Sequence, residues 1–545
     1  MSPTNSLSFT DAPEYKLTKL RNLLGQPERE MSVITKLWVS QLELAESRNE
    51  RAIITMLLKM LERVSFDLPT ELQVYLLYGR AVLLNLEEEN AKAADLYQQA
   101  LDFLTASTEN NEGFDRVYLF ALLRIKKGLM LLSQDKIAEA EALLLPNFVL
   151  VREKGHRTIE ALALFGLGSI AVRKGELALA LNHLQTALAI FRETHNILRI
   201  ADVLNSLGQV YNFQNRYQDS IRTLEECISL RTAMGNSRDL GRTYASLGSA
   251  YYRLGQYNKC ADAIKLAYAL FKQNNNRTST IIACLNLAIS YFESNQAEKA
   301  LPYAQEGVEI TRSLNDGLLS GSALAVLAKC LALRGEGQSA KNFLQETLAM
   351  APEVEKRDIN NSGTFYSHVG QALLLLAENE AEFQQALSYV RLALSKFTKL
   401  GDLDTQLRIT GIPAKIILDN LVRVKDNFNS EAVGQILGLW WEKIQQAPEN
   451  KTLDYGEYLI KYGHWLRQSG NLAQSYQVYG FGLPKLTPPI SAQANLTRGG
   501  LLAKIAEIAP PTDKKSLLEK AQLFLKKGNA PSARQKEISK LLKDL

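Results

Sequence analysis

The chain has 545 residues, is 46% hydrophobic, 22% charged and 8% aromatic, and carries a formal net charge of +5. These proportions exclude a disordered chain, which could not bury enough apolar surface to offset the entropy of ordering. Four cysteines in so long a chain, without Cys-x-x-Cys spacing, exclude a disulfide framework.

The N-terminal residues Met1 to Phe9 have neither the basic nor the apolar region of a secretory leader, and no run of the chain approaches a membrane span. A cytoplasmic protein is expected, or a nuclear one in a cell with a nucleus. Apolar helical stretches follow from Leu17 to Leu24 and from Met31 to Leu44, separated by Gly25-Gln26-Pro27. The pair has the outline of a helix-turn-helix, but its second stretch carries a single lysine, Lys36, among apolar residues. DNA-reading helices display several polar and basic side chains. Residues 1–115 are therefore read as a cap and divergent repeats. One of these is a helix pair running from Tyr78-Gly79 through Ala93 to Ala100, with the acidic run Glu87, Glu88, Glu89 in its turn.

From 116 to 350 the chain repeats every 40 residues. Small residues recur at Gly128, Gly168, Gly208, Gly248, Ala288 and Ala328. Residues that tolerate a left-handed backbone follow at Asp135, Gly175, Asn215, Gly255, Asn295 and Gly335. A second small column runs Ala140, Ala180, Ser220, Cys260, Ala300, Ala340. Small residues in mid-helix let two helices approach closely, and the turn-former between them reverses the chain. The apolar stripe lies at Leu164, Leu167 and Ala171 in one row and at Leu204, Leu207 and Tyr211 in the next, on one face of the first helix. Leu184, Leu224, Ile264, Ala304 and Leu344 serve the second helix. A polar column, Asn196, Asn236, Asn276 and Asp316, ends one helix or caps the next. Pro302, well within a second helix, predicts a kink or a late start.

Leu207-Gly208 and Leu247-Gly248, each followed by a tyrosine, a turn residue and a later small residue, resemble the tetratricopeptide repeat in the long 40-residue form seen in kinesin light chains and signalling scaffolds. The resemblance implies an all-α, right-handed solenoid of antiparallel helix pairs, with the first helix of each pair lining a concave groove.

Residues 351–450 are read as divergent helical repeats, with Gly370 to Ala393 as a pair whose turn is four residues longer and no register after 400. Residues 451–545 hold a repeat-like segment at Gly463, Gly470, Ser475 and Gly482, then prolines at 484, 488, 489, 510 and 511. Nine Lys or Arg against four acids between 513 and 545 suit the solvated face of a terminal capping helix better than a nucleic-acid footprint.

No phosphate loop, dinucleotide fingerprint or nucleophile elbow occurs, so no cofactor and no enzyme activity are expected. Five scattered histidines (156, 183, 195, 368, 464) make no metal set. Cys227, Cys260 and Cys284 fall in core columns of the repeat.

Function then rests on the groove wall. Asn205, Gln209 and Asn212 offer amides to a partner's main chain, and Arg242, Ser249 and Tyr252 continue the wall in the next row. Ile282, Leu285, Ile289 and Phe292 form an apolar row, either an anchor pocket or a face covered by the chain's own later helices. Of the positions where relatives clamp a carboxylate, Phe165, Ser169, Ser206, Arg242 and Ser246, only Arg242 fits. The expected function is a scaffold that holds a segment of a partner protein within an assembly. The alternative is a regulator that changes conformation on binding a short peptide. The end faces of a solenoid leave self-association open.

Overall fold

The computed structural model describes residues 13–25, 31–64, 67–87, 89–107, 115–313, 317–356, 359–399, 403–420, 428–447, 456–482, 499–500, 502–507, 511–527 and 529–543. Among them every regular element is a helix, and the chain divides into two compact units, residues 1–276 and 277–545. Met1 to Phe9, Gln26, Pro27, Glu88, Asp316 and the prolines at 484, 488, 489 and 510 lie outside the described residues.

The first unit begins with α1 (Pro13–Leu24), α2 (Met31–Ser47), α3 (Arg51–Glu62), α4 (Thr70–Leu86), α5 (Asn90–Ala106), α6 (Arg116–Ser133) and α7 (Ile137–Glu153). It continues with α8 (Arg157–Arg173), α9 (Leu177–Glu193), α10 (Ile197–Phe213), α11 (Tyr217–Ala233), α12 (Ser237–Arg253) and α13 (Tyr257–Gln273). From α4 onward each even-numbered helix packs on the odd-numbered helix after it.

Within pairs the chain reverses at Asp135 (φ 64°), Gly175 (77°), Asn215 (60°) and Gly255 (72°), the column expected to turn. A second left-handed column, Gly155 (φ 75°), His195 (53°), Gly235 (64°) and Asn275 (53°), ends each second helix. It escaped the sequence reading, in which His195 was one of the scattered histidines. The residue after it is a cap: Asn196 Oδ1 accepts the Arg199 N–H at 3.1 Å, and Asn236 Oδ1 that of Asp239 at 3.2 Å.

The glycine column marks close helix approaches. A Cβ at Gly128, Gly168, Gly208 or Gly248 would lie 3.0, 2.9, 2.6 or 2.5 Å from the Leu144, Leu184, Leu224 or Ile264 side chain. Ser220, in the second small column, donates its hydroxyl to the Gly208 carbonyl at 2.8 Å.

The N-terminal helices share one continuous core that runs from Leu20 to Val210. Helix α2 buries Ile34, Trp38, Leu42 and Ala45, so the stretch weighed as a DNA-reading helix faces the interior. Trp38 Nε1 donates to the Leu57 carbonyl at 3.0 Å. Full burial of each such large side chain stabilises by about 1.5–3 kcal/mol. Helix α2 also touches α4 and, far along the chain, α10. Helices α6, α8, α10 and α12 pack on one another in succession, while no comparable packing joins α7, α9, α11 and α13. The even-numbered helices therefore form the inner wall of a curved stack.

The second unit holds α14 (Arg277–Glu293), α15 (Ala297–Thr311), α16 (Gly317–Arg334), α17 (Gly337–Ala349), the one-turn α18 (Ala351–Val354), α19 (Ile359–Leu376) and α20 (Glu380–Lys399). After these come α21 (Leu403–Asp419), α22 (Ser430–Gln446), α23 (Gly456–Gln468), α24 (Leu472–Gly482), α25 (Pro511–Lys527) and α26 (Ser532–Lys543). Pairs form again: α14 with α15, α16 with α17, α19 with α20, α21 with α22, α23 with α24 and α25 with α26. Helix α15 starts on the repeat register at Ala297, so the late start considered for Pro302 does not occur and the proline sits inside the helix. Pro146 and Pro413, which the sequence reading passed over, are likewise inside helices. Gly370 meets Val390, a Cβ there lying 3.1 Å away, and Gly463 meets Tyr479. Ser475 donates to the Gly463 carbonyl at 2.7 Å, the same bond that Ser220 makes to Gly208.

Candidate partner-binding wall

On the inner wall of the first unit, α10 carries Asn205, Gln209 and Asn212, and α12 carries Arg242, Ser249 and Tyr252. The two helices are stitched through Ser246: Gln209 Nε2 donates to its hydroxyl at 3.4 Å and Asn212 Nδ2 to its carbonyl at 3.3 Å. These amides thus take part in the stack, which the sequence reading did not foresee. The oxygens Asn205 Oδ1 and Asn212 Oδ1 are buried and accept no hydrogen bond among the described residues. Unmet acceptors of this kind carry a desolvation cost of about 1–3 kcal/mol each until a donor arrives.

Gln209 and Ser249 are exposed, and Tyr252 is half-buried with its ring edge-on to Tyr257 at 5.4 Å. Arg242 pairs with Asp239 while keeping more than half of its side chain in solvent. Burial works against ionising Asp239, but the cations Arg242 and Arg231 and the Asn236 amide outweigh it and hold its carboxyl below the usual carboxylate range.

Arg231 is the residue the sequence reading missed. It occupies the column of Val151, Phe191 and Phe271, and this charge in an apolar column was the available signal. Arg231 is 4% exposed; Nη1 donates to the Asp239 carbonyl at 2.7 Å and to Thr243, and Nη2 lies 3.2 Å from Asp202. Asp202 also takes Arg199 at 3.1 Å, and Arg199 reaches Glu46 of α2 at 3.3 Å. Glu46 is further held by Lys126 and the Tyr78 hydroxyl. A continuous chain of ion pairs and hydrogen bonds therefore runs from the wall residue Arg242 to α2.

In the second unit the apolar row on α14 is only partly presented. Ile282 is 45% exposed and Ile289 half-buried, whereas Leu285 and Phe292 are each 8% exposed. Phe292 is closed over by Lys329 of α16, whose Nζ sits 3.9 Å from the ring centroid and donates to Gln371 Oε1 of α19 at 3.0 Å. Burial lowers the Lys329 ammonium below its ordinary value. Phe292 is thus interior, and the part of the row open to solvent is Ile282 and Ile289.

Cys227, Cys260, Cys284 and Cys330 are all buried thiols. Among the described residues no cluster of His, Cys, Asp and Glu could hold a metal ion, and no helix is long and apolar enough to cross a membrane.

Curved stacks of antiparallel helix pairs with small residues at each crossing define the α-solenoid class of repeat protein. The tetratricopeptide-repeat family model matches residues 159–233 and 199–273. Residues 159–273 are thus tetratricopeptide repeats. The chain is 23% identical over 313 residues to a Tonsoku-like protein of Drosophila melanogaster, covering 56% of this chain and 20% of that one. Regulatory protein RapG of Bacillus subtilis (strain 168) is 21% identical over 192 residues, covering 35% of this chain and 51% of its own length. The matches thus span about a fifth and about half of these relatives' lengths. Among solved structures the apo form of RapI superposes with a TM-score of 0.53 at 14% identity, covering 68% of this chain and 97% of that one. That likeness speaks for the shared fold.

Proposed function

We propose that this chain is a scaffold or adaptor, without catalytic chemistry of its own, that holds a segment of a partner protein along the inner wall formed by α10 and α12. The observation that carries the reading is the polar face of the wall, where Gln209 and Ser249 are exposed and Arg242 keeps more than half of its side chain in solvent. A partner in extended conformation presents main-chain N–H and C=O groups along its length, and exposed amide and hydroxyl side chains of this kind can pair with them. Arg242 and Ser249 extend the polar wall, and Ile282 and Ile289 offer apolar surface to the same class of partner. In this reading 116–350 is the working array, 1–115 and the basic end of 451–545 are caps, and 351–450 continues the stack with divergent repeats.

Replacing Asn205, Gln209 and Asn212 together by alanine should weaken capture of the native partner from a host lysate. The same change at Gln218, Arg222 and Glu225 on α11 should leave capture intact. Equal recovery by both triple variants would remove the wall at α10 from consideration.

The regulator reading draws on a separate observation, the series of ion pairs and hydrogen bonds from Arg242 through Asp239, Arg231, Asp202 and Arg199 to Glu46. A ligand that re-pairs Arg242 would alter contacts leading toward α2. Slower or faster hydrogen exchange in α2 on adding the captured segment would favour it, and unchanged exchange would leave the plain adaptor.

A further inference from the structure

We propose that the groove between α1 and α3 in the first unit docks an acidic amphipathic helix of a partner protein. Both helices pack on α2, and a cavity of about 470 Å³ lies between them. Arg21 and Leu24 of α1 line one side, and Met56, Lys59, Met60 and Arg63, along α3 and just past its end, line the other. The groove is separate from the α10 wall and does not rest on the function proposed there.

Helix α3 buries Ile54, Leu57, Leu58 and Leu61 in the core. Met56 and Met60 stand on another face, half-buried, and each has an exposed cation three residues on, Lys59 and Arg63. Arg21 and Leu24 repeat that spacing on α1. None of the three cationic side chains makes an ion pair or hydrogen bond among the described residues, and no carboxylate lines the groove. The adjacent acid, Glu62, is taken by Arg80 at 2.8 Å. Elsewhere on the same unit Lys174 and Arg192 each reach a carboxylate at 2.6 Å, so an unpaired set of three stands out. Methionine faces of this kind adapt to apolar partner side chains, and the three cations select acidic ones beside them. The remaining polar group of the lining, the Thr55 hydroxyl, donates to the Arg51 carbonyl at 2.9 Å. The groove therefore offers side-chain charge and apolar surface but little to pair with an extended main chain. A helix needs nothing more, because its backbone groups are met internally. The lined stretch of α3, from Ala52 to Arg63, is about 16 Å long, or three turns of a partner helix. A second copy docked symmetrically would set these cations against one another. Single-stranded nucleic acid would find no aromatic ring to stack on.

Fluorescence anisotropy of the full chain with a labelled helical peptide, Leu on one stripe and Glu on its flanks, tests the proposal against the same peptide with Lys for Glu. Saturable binding of the Glu peptide that weakens with added salt is expected, and none of the Lys peptide. Lys59→Glu with Arg63→Glu should weaken the Glu peptide about tenfold and confer binding of the Lys peptide. Met56→Ser with Met60→Ser should weaken the Glu peptide about fivefold with every charge kept. Should the serine variant fail to fold, as judged by its melting curve, the charge exchange still decides, since both cations are exposed. Lys265→Glu with Lys272→Glu, exposed lysines of α13, makes the same change in net charge and should leave binding unchanged. Three results would overturn the proposal: no saturable binding of the Glu peptide, binding indifferent to residues 59 and 63, or equal weakening by the α13 pair. Binding of phosphatidylserine vesicles in place of the peptide would overturn it in favour of a membrane contact, and a dimer dissolved by the change at 59 and 63 in favour of a second copy.

Discussion

The Glu46 carboxylate of α2 lies 3.3 Å from the Arg199 guanidinium of α10, 153 residues further along the chain. With Lys126 and the Tyr78 hydroxyl on the same carboxylate, this contact ties α2 to the inner wall of the repeats. Burial alone would push the Glu46 carboxyl upward. Lys126, Arg199 and the two side-chain hydrogen bonds outweigh it and hold the group down to about 2.

A pH dependence with a definite sign follows from this. The folded value is below the ordinary 4.5, so the stabilisation is fully present above about 4.5 and is lost as pH falls toward about 2. Urea unfolding of the wild type should lose about 3 kcal/mol more than Glu46→Gln across that window. At neutral pH the variant should be less stable by about 3–5 kcal/mol, because Lys126 is left buried without its counter-charge while Arg199 keeps only Asp202. Parallel stability curves for the two proteins would refute the role given to Glu46.

The glycine column predicts a graded response to a single methyl group. Gly208→Ala brings a Cβ to 2.6 Å of Leu224 and should cost about 1–3 kcal/mol, and Gly208→Leu more. Gly128→Ala, at 3.0 Å from Leu144, should cost less. Thermal melts of the three variants check the order, and equal melting temperatures would mean the helix crossing is not at this column.

Lys329 gives a prediction in the opposite direction. It is 0% exposed, and among the described residues no carboxylate lies within ion-pair distance, so Lys329→Met should stabilise the fold or leave it unchanged within about 1 kcal/mol. Because the folded ammonium is lowered, the folded state releases its proton before the unfolded state does. The wild type should therefore gain stability on the variant as pH rises toward the ordinary lysine value of 10.5. Chemical denaturation between pH 7 and 10 measures it; a marked loss of stability in the methionine variant would show that the bond to Gln371 matters more than burial of the charge.

For the α10 wall, the contacts to Ser246 at 3.4 and 3.3 Å are long hydrogen bonds. The triple alanine change should accordingly lower stability by less than about 1.5 kcal/mol while removing partner capture. A collapse of the melting transition would mean that these amides chiefly hold α10 to α12.

The sequence by itself determined the helix pairs, their turns and their crossings. Each is a local matter: Gly208 must face Leu224, Asn215 must turn, and Asn196 must cap, whatever lies elsewhere in the chain. A fixed period repeats these rules, and a period is legible in one dimension. Even the divergent end kept it, with Ser475 and Gly463 repeating the bond of Ser220 and Gly208. Only the tertiary structure decided what faces the inside of the curve. The small rotation at each pair accumulates until α2 meets α10 and the turn at Asn49 meets the turn at Asn236. The same packing laid Lys329 over Phe292, withdrawing from the surface a side chain that helical spacing placed on the wall. No column of residues encodes such meetings, because they depend on the summed geometry of many pairs and on which charges burial brings within reach of one another.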